Sequence, residues 1–253
     1  MTELQAELER LAGLETLLVA LDFDGVLAPI VLVPSEARPL PAAAAAIREL
    51  AGLPGTSVVL VSGRGLADLA AVSGFARPVR MVGSHGGEFG EGLVEGGGSL
   101  LDDDQAALKD AMTEALEKLV AGEPGAELEH KPAGVAVHVR NAPQEVGERL
   151  LAAVRTGVGT WDGVDSTEGK AVIDLAVLKV SKGAAVDLLR ERLRPDAVLF
   201  AGDDVTDETV FTRLRPGDVG IKVGEGDTAA AHRVDGPEDV AALLTELARL
   251  RRR

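Results

Sequence analysis

Leu17-Leu18-Val19-Ala20-Leu21-Asp22-Phe23-Asp24-Gly25-Val26-Leu27 runs five apolar residues into two aspartates two positions apart. A short apolar run closed by turn residues reads as a strand buried on both faces. Alternate side chains of an extended chain share a face, so Asp22 and Asp24 reach one site while Phe23 turns into the core. Carboxylates crowded at the end of a buried strand repel each other and are costly to desolvate, and a bound divalent cation relieves both penalties. One carboxylate is then free to act as nucleophile or ligand and the other to transfer protons. By itself DFDG reads equally well as an Asp-rich turn capped by Gly25.

Outward from this strand, apolar runs at 57–61, 79–82, 197–201 and 219–223 are each followed by a Gly, Asp or Ser turn and a segment of helical period. Helices are expected at 41–51, 65–73, 183–193, 207–214 and 237–250, with Gly52 and Gly74 as stops and Pro237 in a first turn. Residues 1–13 read as an acidic amphipathic helix. The alternation is that of βα units around a parallel sheet, an α/β fold. It breaks in the middle, where a Gly-rich stretch 83–98, a helix 104–121, a hairpin 127–140, a helix 143–155 and strands at 158–162 and 170–177 indicate an inserted α+β domain. The expected division is 1–101 with 178–253 as the core and 102–177 as the insertion. In the hairpin Val135, Val137 and Val139 share one face, and His138 and Arg140 the other. Glu129 and Lys131 belong to that polar face, as do Lys170 and Asp174 on the second strand pair. Such a face is most often simply solvated; as the roof of a site it suits a polyhydroxylated anionic ligand.

The 253 residues carry a net charge of −15 with a pI near 4.7, which argues against nucleic-acid and anionic-membrane partners. A phosphorylated small molecule remains compatible, held by local cations and metal. Cysteine is absent, which excludes disulfides and thiolate zinc sites. The first residues lack the form of a signal peptide and no apolar run has membrane-spanning length, so a cytoplasmic protein is expected, with a monomer favoured.

Three further strand ends carry chemistry. Val61-Ser62-Gly63-Arg64 delivers a hydroxyl to a turn before a helix, where Ser62 and backbone N–H groups suit a phosphoryl oxygen, although Ser is also a common helix cap. Val180-Ser181-Lys182-Gly183 places a lysine in a first helical turn, against the macrodipole unless an anion lies nearby. Ala201-Gly202-Asp203-Asp204-Val205-Thr206-Asp207-Glu208 is the strongest metal signal, and oxygen ligands without cysteine or paired histidine select Mg²⁺ over zinc. Ligands of open α/β sheets bind outside the carboxyl ends of the strands, so the four turns can meet in one crevice.

In this order the four turns resemble the haloacid dehalogenase superfamily. LDFDGVLAPI, VSGR, the Gly83-Ser84-His85-Gly86-Gly87-Glu88 turn, EHKPAGVAVHVR, GKAVIDL, VSKG and AGDDVTDE together resemble the trehalose-6-phosphate phosphatases. The resemblance implies a Rossmann-like core with an inserted cap and Mg²⁺-dependent removal of phosphate from trehalose 6-phosphate. It implies Asp22 as nucleophile, Asp24 as acid and base, and Ser62 and Lys182 on the phosphoryl oxygens, with Asp207 orienting Lys182. Metal would be held by Asp22, Asp24 and Asp203, with Asp204 or Asp207 reaching it through water. Glu129, Lys131, His138, Arg140, Lys170 and Asp174 would recognise the sugar, and Gly63, Arg64, His85 and Gly86 the space between. Three positions depart from the family: Val26 for Thr, Val139 for an aromatic, and Asp174 for Glu. The competing readings are a phosphatase for another sugar or glycosyl-glycerate phosphate, a silent sugar-phosphate sensor, and calcium-stabilised acidic turns without catalysis.

Overall fold

A computed structural model describes residues 3–93, 98–99 and 101–252; part of the Gly-rich stretch, 94–97, and Arg253 lie outside them. In chain order the elements are α1 (Glu3–Ala12), β1 (Leu17–Leu21), α2 (Pro41–Gly52), β2 (Thr56–Val61), α3 (Leu66–Ser73), β3 (Arg80–Gly83), β4 (Glu88–Phe89) and β5 (Gly98–Ser99). Next come α4 (Asp103–Val120), β6 (Glu127–Lys131), β7 (Gly134–His138), α5 (Gln144–Thr156), β8 (Asp165–Gly169) and β9 (Val172–Ala176). The chain closes with α6 (Lys182–Leu193), β10 (Ala197–Gly202), α7 (Glu208–Phe211), β11 (Val219–Val223), β12 (His232–Val234) and α8 (Pro237–Arg251). They form two compact units, Met1–Gly98 with Ser181–Arg253, and Ser99–Val180.

The first unit is built on an eight-stranded sheet of order β12-β11-β10-β1-β2-β3-β4-β5, parallel from β12 through β3. All five residues of β1 are buried, which is why the run lacks alternation. On one side Leu17, Val19 and Leu21 join a core with Leu8 and Leu11 of α1, Ile47 and Leu50 of α2, and Leu244 and Leu247 of α8. On the other, Phe200 of β10 meets Phe211 edge-on at 5.4 Å. The chain steps from β1 to β2 in one direction and from β10 to β11 in the other, so the strand order reverses beside β1, where ligands of such sheets bind. Arg251 caps another helix rather than its own: it donates to the carbonyls of Leu11, at the end of α1, and Leu14 at 2.9 and 3.1 Å.

The second unit is an antiparallel sheet, β6-β7-β9-β8, whose inner face packs Val135, Val137, Ile173 and Leu175 against Met112 and Leu116 of α4 and Leu150 and Val154 of α5. Asp102 starts α4 with a reciprocal capping box to Gln105. Glu129, Ala136, Asp174 and Thr167 stand opposite one another across the strands, and so share the other face. The strand expected at 158–162 is instead a 3-10 turn, Val158–Thr160, and the partner of β9 is β8. The helix expected at 207–214 is shorter, Glu208–Phe211. No described helix is long and apolar enough to cross a membrane.

The register separates two substitutions in the second unit. Ile173→Ala removes buried volume and is expected to cost about 2–5 kcal/mol, whereas Thr167→Ala on the solvated face stays within about 0.5 kcal/mol. Denaturant midpoints measured on both variants check this, and equal losses would overturn the register.

Candidate active site

Asp22 is the first residue past β1, still held to the sheet by its N–H on the Ala201 carbonyl at 3.0 Å. Its Oδ1 accepts from the Phe23 N–H at 2.7 Å and its Oδ2 from Lys182 Nζ at 2.6 Å. Lys182 opens α6 directly after the cap Ser181, whose hydroxyl accepts from the Ala184 N–H. Although a lysine, it is only 2% exposed, and its ammonium also donates to Asp207 Oδ1 at 2.8 Å. Asp207, wholly buried, uses its second oxygen to accept from the N–H groups of Asp203 and Asp204, both at 2.9 Å. One carboxylate thus orients the lysine and folds the acidic loop.

Asp22, Asp203 and Asp207 each offer an oxygen within 4.8 Å of the others. Asp203 approaches the DFDG turn so closely that a Cβ on Gly25, whose φ is +74°, would fall 2.0 Å from its Oδ2. Burial pushes the Asp22 carboxyl well above the ordinary range, and burial with the Asp207 charge lifts Asp203 to about 6. Burial works against the Lys182 charge, but the Asp22 and Asp207 carboxylates outweigh it and hold its pKa above the ordinary value. Desolvated carboxylates that hold protons this strongly form a donor set short of positive charge, and a hard divalent cation fits it. Asp207 is wholly buried and already accepts three hydrogen bonds, whereas Asp22 accepts two and lines the cleft, which leaves Asp22 and Asp203 as the better placed carboxylate donors. Asp204 stands outside the trio: it is exposed, and its Oδ1 accepts from the Val205 N–H at 2.6 Å.

Ser62 is buried at the end of β2, its hydroxyl accepting from the Arg64 N–H at 3.2 Å. The Arg64 guanidinium grips the Asp24 carboxylate at 2.6 and 2.8 Å. The Ser84–Gly86 turn has three successive residues at positive φ, and it lays the His85 imidazole where a Cβ of Gly63 would stand. Strain of this kind persists where the surrounding structure over-determines it. The resulting cleft, about 550 Å³, is lined by Asp22, Asp24, Ser62, Gly63, Arg64, His85, Lys182, Asp203 and Asp204, with Ile30, Val31, Pro34, Asp68 and Thr206. Gly86 does not line it. It is buried, and a Cβ there would meet the Ser181 carbonyl, so this glycine permits close packing.

Two residues escaped the sequence reading. Glu88 accepts from the Leu66 N–H at 2.6 Å and so occupies the start of α3. Lys222 is a buried lysine inside β11, level with Gly202, and it donates to the Asp203 carbonyl. Its signal was a lone cation within the apolar strand Val219-Gly220-Ile221-Lys222-Val223.

In the second unit the polar face brings Lys131 to Asp174 as an ion pair and His138 to Glu129 at 2.9 Å. Arg140 follows β7 and Lys170 sits in the β8–β9 turn, both exposed. Val139 lies on the opposite, buried face, in contact range of Gly147.

A family model described as trehalose-phosphatase matches residues 20–239. A trehalose-phosphate phosphatase of Mycolicibacterium paratuberculosis is 35% identical over 91% of this chain and 61% of that protein. An uncharacterized glycosyl hydrolase of Mycobacterium tuberculosis is 36% identical over 97% of this chain but only 19% of its own length. The chain therefore spans from about a fifth to three fifths of these curated relatives. Aspergillus fumigatus trehalose-6-phosphate phosphatase superposes with a TM-score of 0.73 at 25% identity, covering 97% of each chain. With a family match across most of its length, the chain belongs to the trehalose-phosphatase family.

Proposed function

We propose that the chain hydrolyses trehalose 6-phosphate to trehalose and phosphate through a covalent aspartyl-phosphate on Asp22. The observation that carries this is the meeting of Asp22, Asp203 and buried Lys182 at the ends of β1, β10 and the start of α6. Asp22 attacks phosphorus, the bond from phosphorus to the sugar oxygen breaks, and the Asp24 carboxyl gives its proton to that oxygen. Water then attacks the acyl phosphate while Asp24 takes its proton, and cleavage at phosphorus restores Asp22. Lys182 and the Ser62 hydroxyl hold the phosphoryl oxygens, and Asp207 keeps the ammonium aimed. Asp22, the Asp24 main-chain carbonyl and Asp203 are the groups to hold Mg²⁺, with Asp204 left to a water-mediated place; when bound, the ion screens the repulsion between carboxylate and phosphate dianion.

The second unit, in this reading, is the cap that selects the substrate. Its solvated face offers Glu129, Lys131, His138, Arg140, Lys170 and Asp174 as hydrogen-bonding groups for a disaccharide, and the pairing of Lys131 with Asp174 holds both side chains in place without a core around them. Since Val139 belongs to the buried face, its departure from the family pattern leaves this surface unchanged.

Three outcomes test the proposal. Asp22→Asn is expected to lower phosphate release from trehalose 6-phosphate by at least about a thousandfold, measured by inorganic phosphate; turnover near wild type would exclude Asp22 as nucleophile. Arg140→Ala is expected to raise KM for trehalose 6-phosphate while sparing p-nitrophenyl phosphate, which has no sugar to be recognised. Because Asp22 and Asp203 are raised by burial, Mg²⁺ must displace protons from them. Its affinity is expected to fall as pH drops through the range from about 7 to about 6, with protons released on binding and read as buffer-dependent heats in calorimetry.

A further inference from the structure

Arg64 follows β2 by three residues, and its guanidinium is spread over its own neighbours rather than aimed into the open cleft. Nε and Nη2 fork onto the two oxygens of Asp24 at 2.6 and 2.8 Å. Nη1 donates to Asp68 at 2.7 Å, and Nη2 donates again to the Pro34 carbonyl at 2.8 Å. The Phe23 ring lies 5.8 Å from Cζ, within cation–π range. Four of the five N–H donors of a guanidinium are thereby used, which leaves one for any ligand. The arginine side chain is 11% exposed, whereas that of Asp24 is 33% exposed.

Asp24 differs from the two carboxylates that meet Lys182 in what holds it. Asp22 accepts from a backbone N–H and a lysine, and Asp207 from two backbone N–H groups and the same lysine. Among the described residues, the hydrogen bonds to the Asp24 carboxylate come from Arg64. We infer that Arg64 is a positioning residue for the proton-transferring carboxylate, acting on the reaction through Asp24 rather than by binding the sugar phosphate. The inference rests on the role given to Asp24 in the phosphatase reading. A bidentate fork fixes the plane of a carboxylate as well as its position, which a single lysine contact does not. Proton transfer works only within hydrogen-bond reach of the leaving oxygen or the attacking water, so an unforked Asp24, free to turn in a solvated cleft, spends little time in place. Each Asp24 oxygen keeps a lone pair outside the fork, so the grip need not open for the proton to move. Asp68 and the Pro34 carbonyl fix the far side of the guanidinium and make the fork rigid.

Steady-state kinetics on Arg64→Ala, Asp24→Asn and the double variant test this. Arg64→Ala is expected to lower kcat on trehalose 6-phosphate by about 10- to 100-fold, part of the roughly 10²–10⁴ that acid–base catalysis contributes, with KM within about threefold. In the Asp24→Asn background the same change is expected to cost no more than about twofold. Calorimetric binding of trehalose 6-phosphate to Asp22→Asn should be unaltered by adding Arg64→Ala, and free guanidinium should restore part of the activity of Arg64→Ala while leaving Asp24→Asn inert. A tenfold weaker binding with kcat retained would make Arg64 a ligand instead, and full additivity with Asp24→Asn would also overturn the inference. Should Arg64→Ala fail to fold, Arg64→Gln and Arg64→Lys run through the same cycle. Parallel assays on p-nitrophenyl phosphate separate the two failures: a wild-type enzyme active on the aryl ester alone ends the trehalose assignment but leaves the cycle readable, and one inert to both ends the phosphatase reading and the role of Arg64 with it.

Discussion

A lysine ammonium buried between two carboxylates is the contact on which the site depends. Lys182 is far from water, and the cost of stripping hydration from an ammonium is offset only if its partners are anionic and close. That requirement ties three distant pieces of chain to one point: the end of β1, the start of α6 and the loop after β10. Asp207 extends the tie, since its other oxygen takes the two N–H groups that open the acidic loop. Removing Lys182 leaves two buried carboxylates without a cation, and removing Asp207 takes the acceptor from the loop N–H groups, so the ion-pair triad shapes the turn that presents Asp203.

The scaffold makes this possible by being dull. Parallel strands buried on both faces have no freedom to shift register without exposing apolar residues, and β1 is paired residue by residue with both β10 and β2. Rigid strands end at one level, and the side chains that follow inherit that precision. Glycine is demanded where turns then crowd together: at Gly25, because Asp203 needs the space of a Cβ, and at Gly63, because the His85 ring takes it. At Gly63 the requirement has nothing to do with the turn itself, whereas Gly25 also takes a φ of +74° that favours glycine.

Which parts were legible in sequence follows from the same physics. Strands of the parallel sheet announce themselves as continuous apolar runs, and the α4, α5 and β7 segments by period, because a large buried surface forces the pattern. The β8 strand, Asp-Ser-Thr-Glu-Gly, is exposed along its whole length and pairs only with β9, so nothing apolar marks it, while the more apolar Val158 to Trp161 beside it attracts the assignment. The short β12 and the early end of α7 are decided by tertiary neighbours. In the cleft, the acids and Lys182 could be named from their places at strand and helix ends, and the family resemblance gave Asp207 as the partner of Lys182, but the hold of Arg64 on Asp24 and of Asp207 on the loop N–H groups could not be read. Arg64 was read as facing a ligand, and only three dimensions show Asp24, Asp68 and Pro34 already claiming it. Lys222 stood out only as a lone cation in an apolar strand, and its role was hidden for a similar reason, since a carbonyl partner leaves no trace in the sequence.

The charge balance of the cleft bears on how an acidic chain would take the proposed anionic substrate. In and beside the cleft lie the carboxylates of Asp22, Asp24, Asp68, Asp203, Asp204 and Asp207 against the cations Lys182, Arg64 and Lys222. Arg64 and Lys182 are each matched by two of those acids, so the side chains together carry an excess of negative charge that would repel the proposed phosphate dianion. At separations of a few ångströms in a partly desolvated site, such repulsion exceeds what one serine hydroxyl and a shared ammonium return. Under the proposed function, a site that spends its cations on holding its own acids in place would take its remaining positive charge from a divalent ion. Burial is the main cause of the raised affinity of Asp22 and Asp203 for protons, and the Asp207 charge adds to it against the nearby lysines.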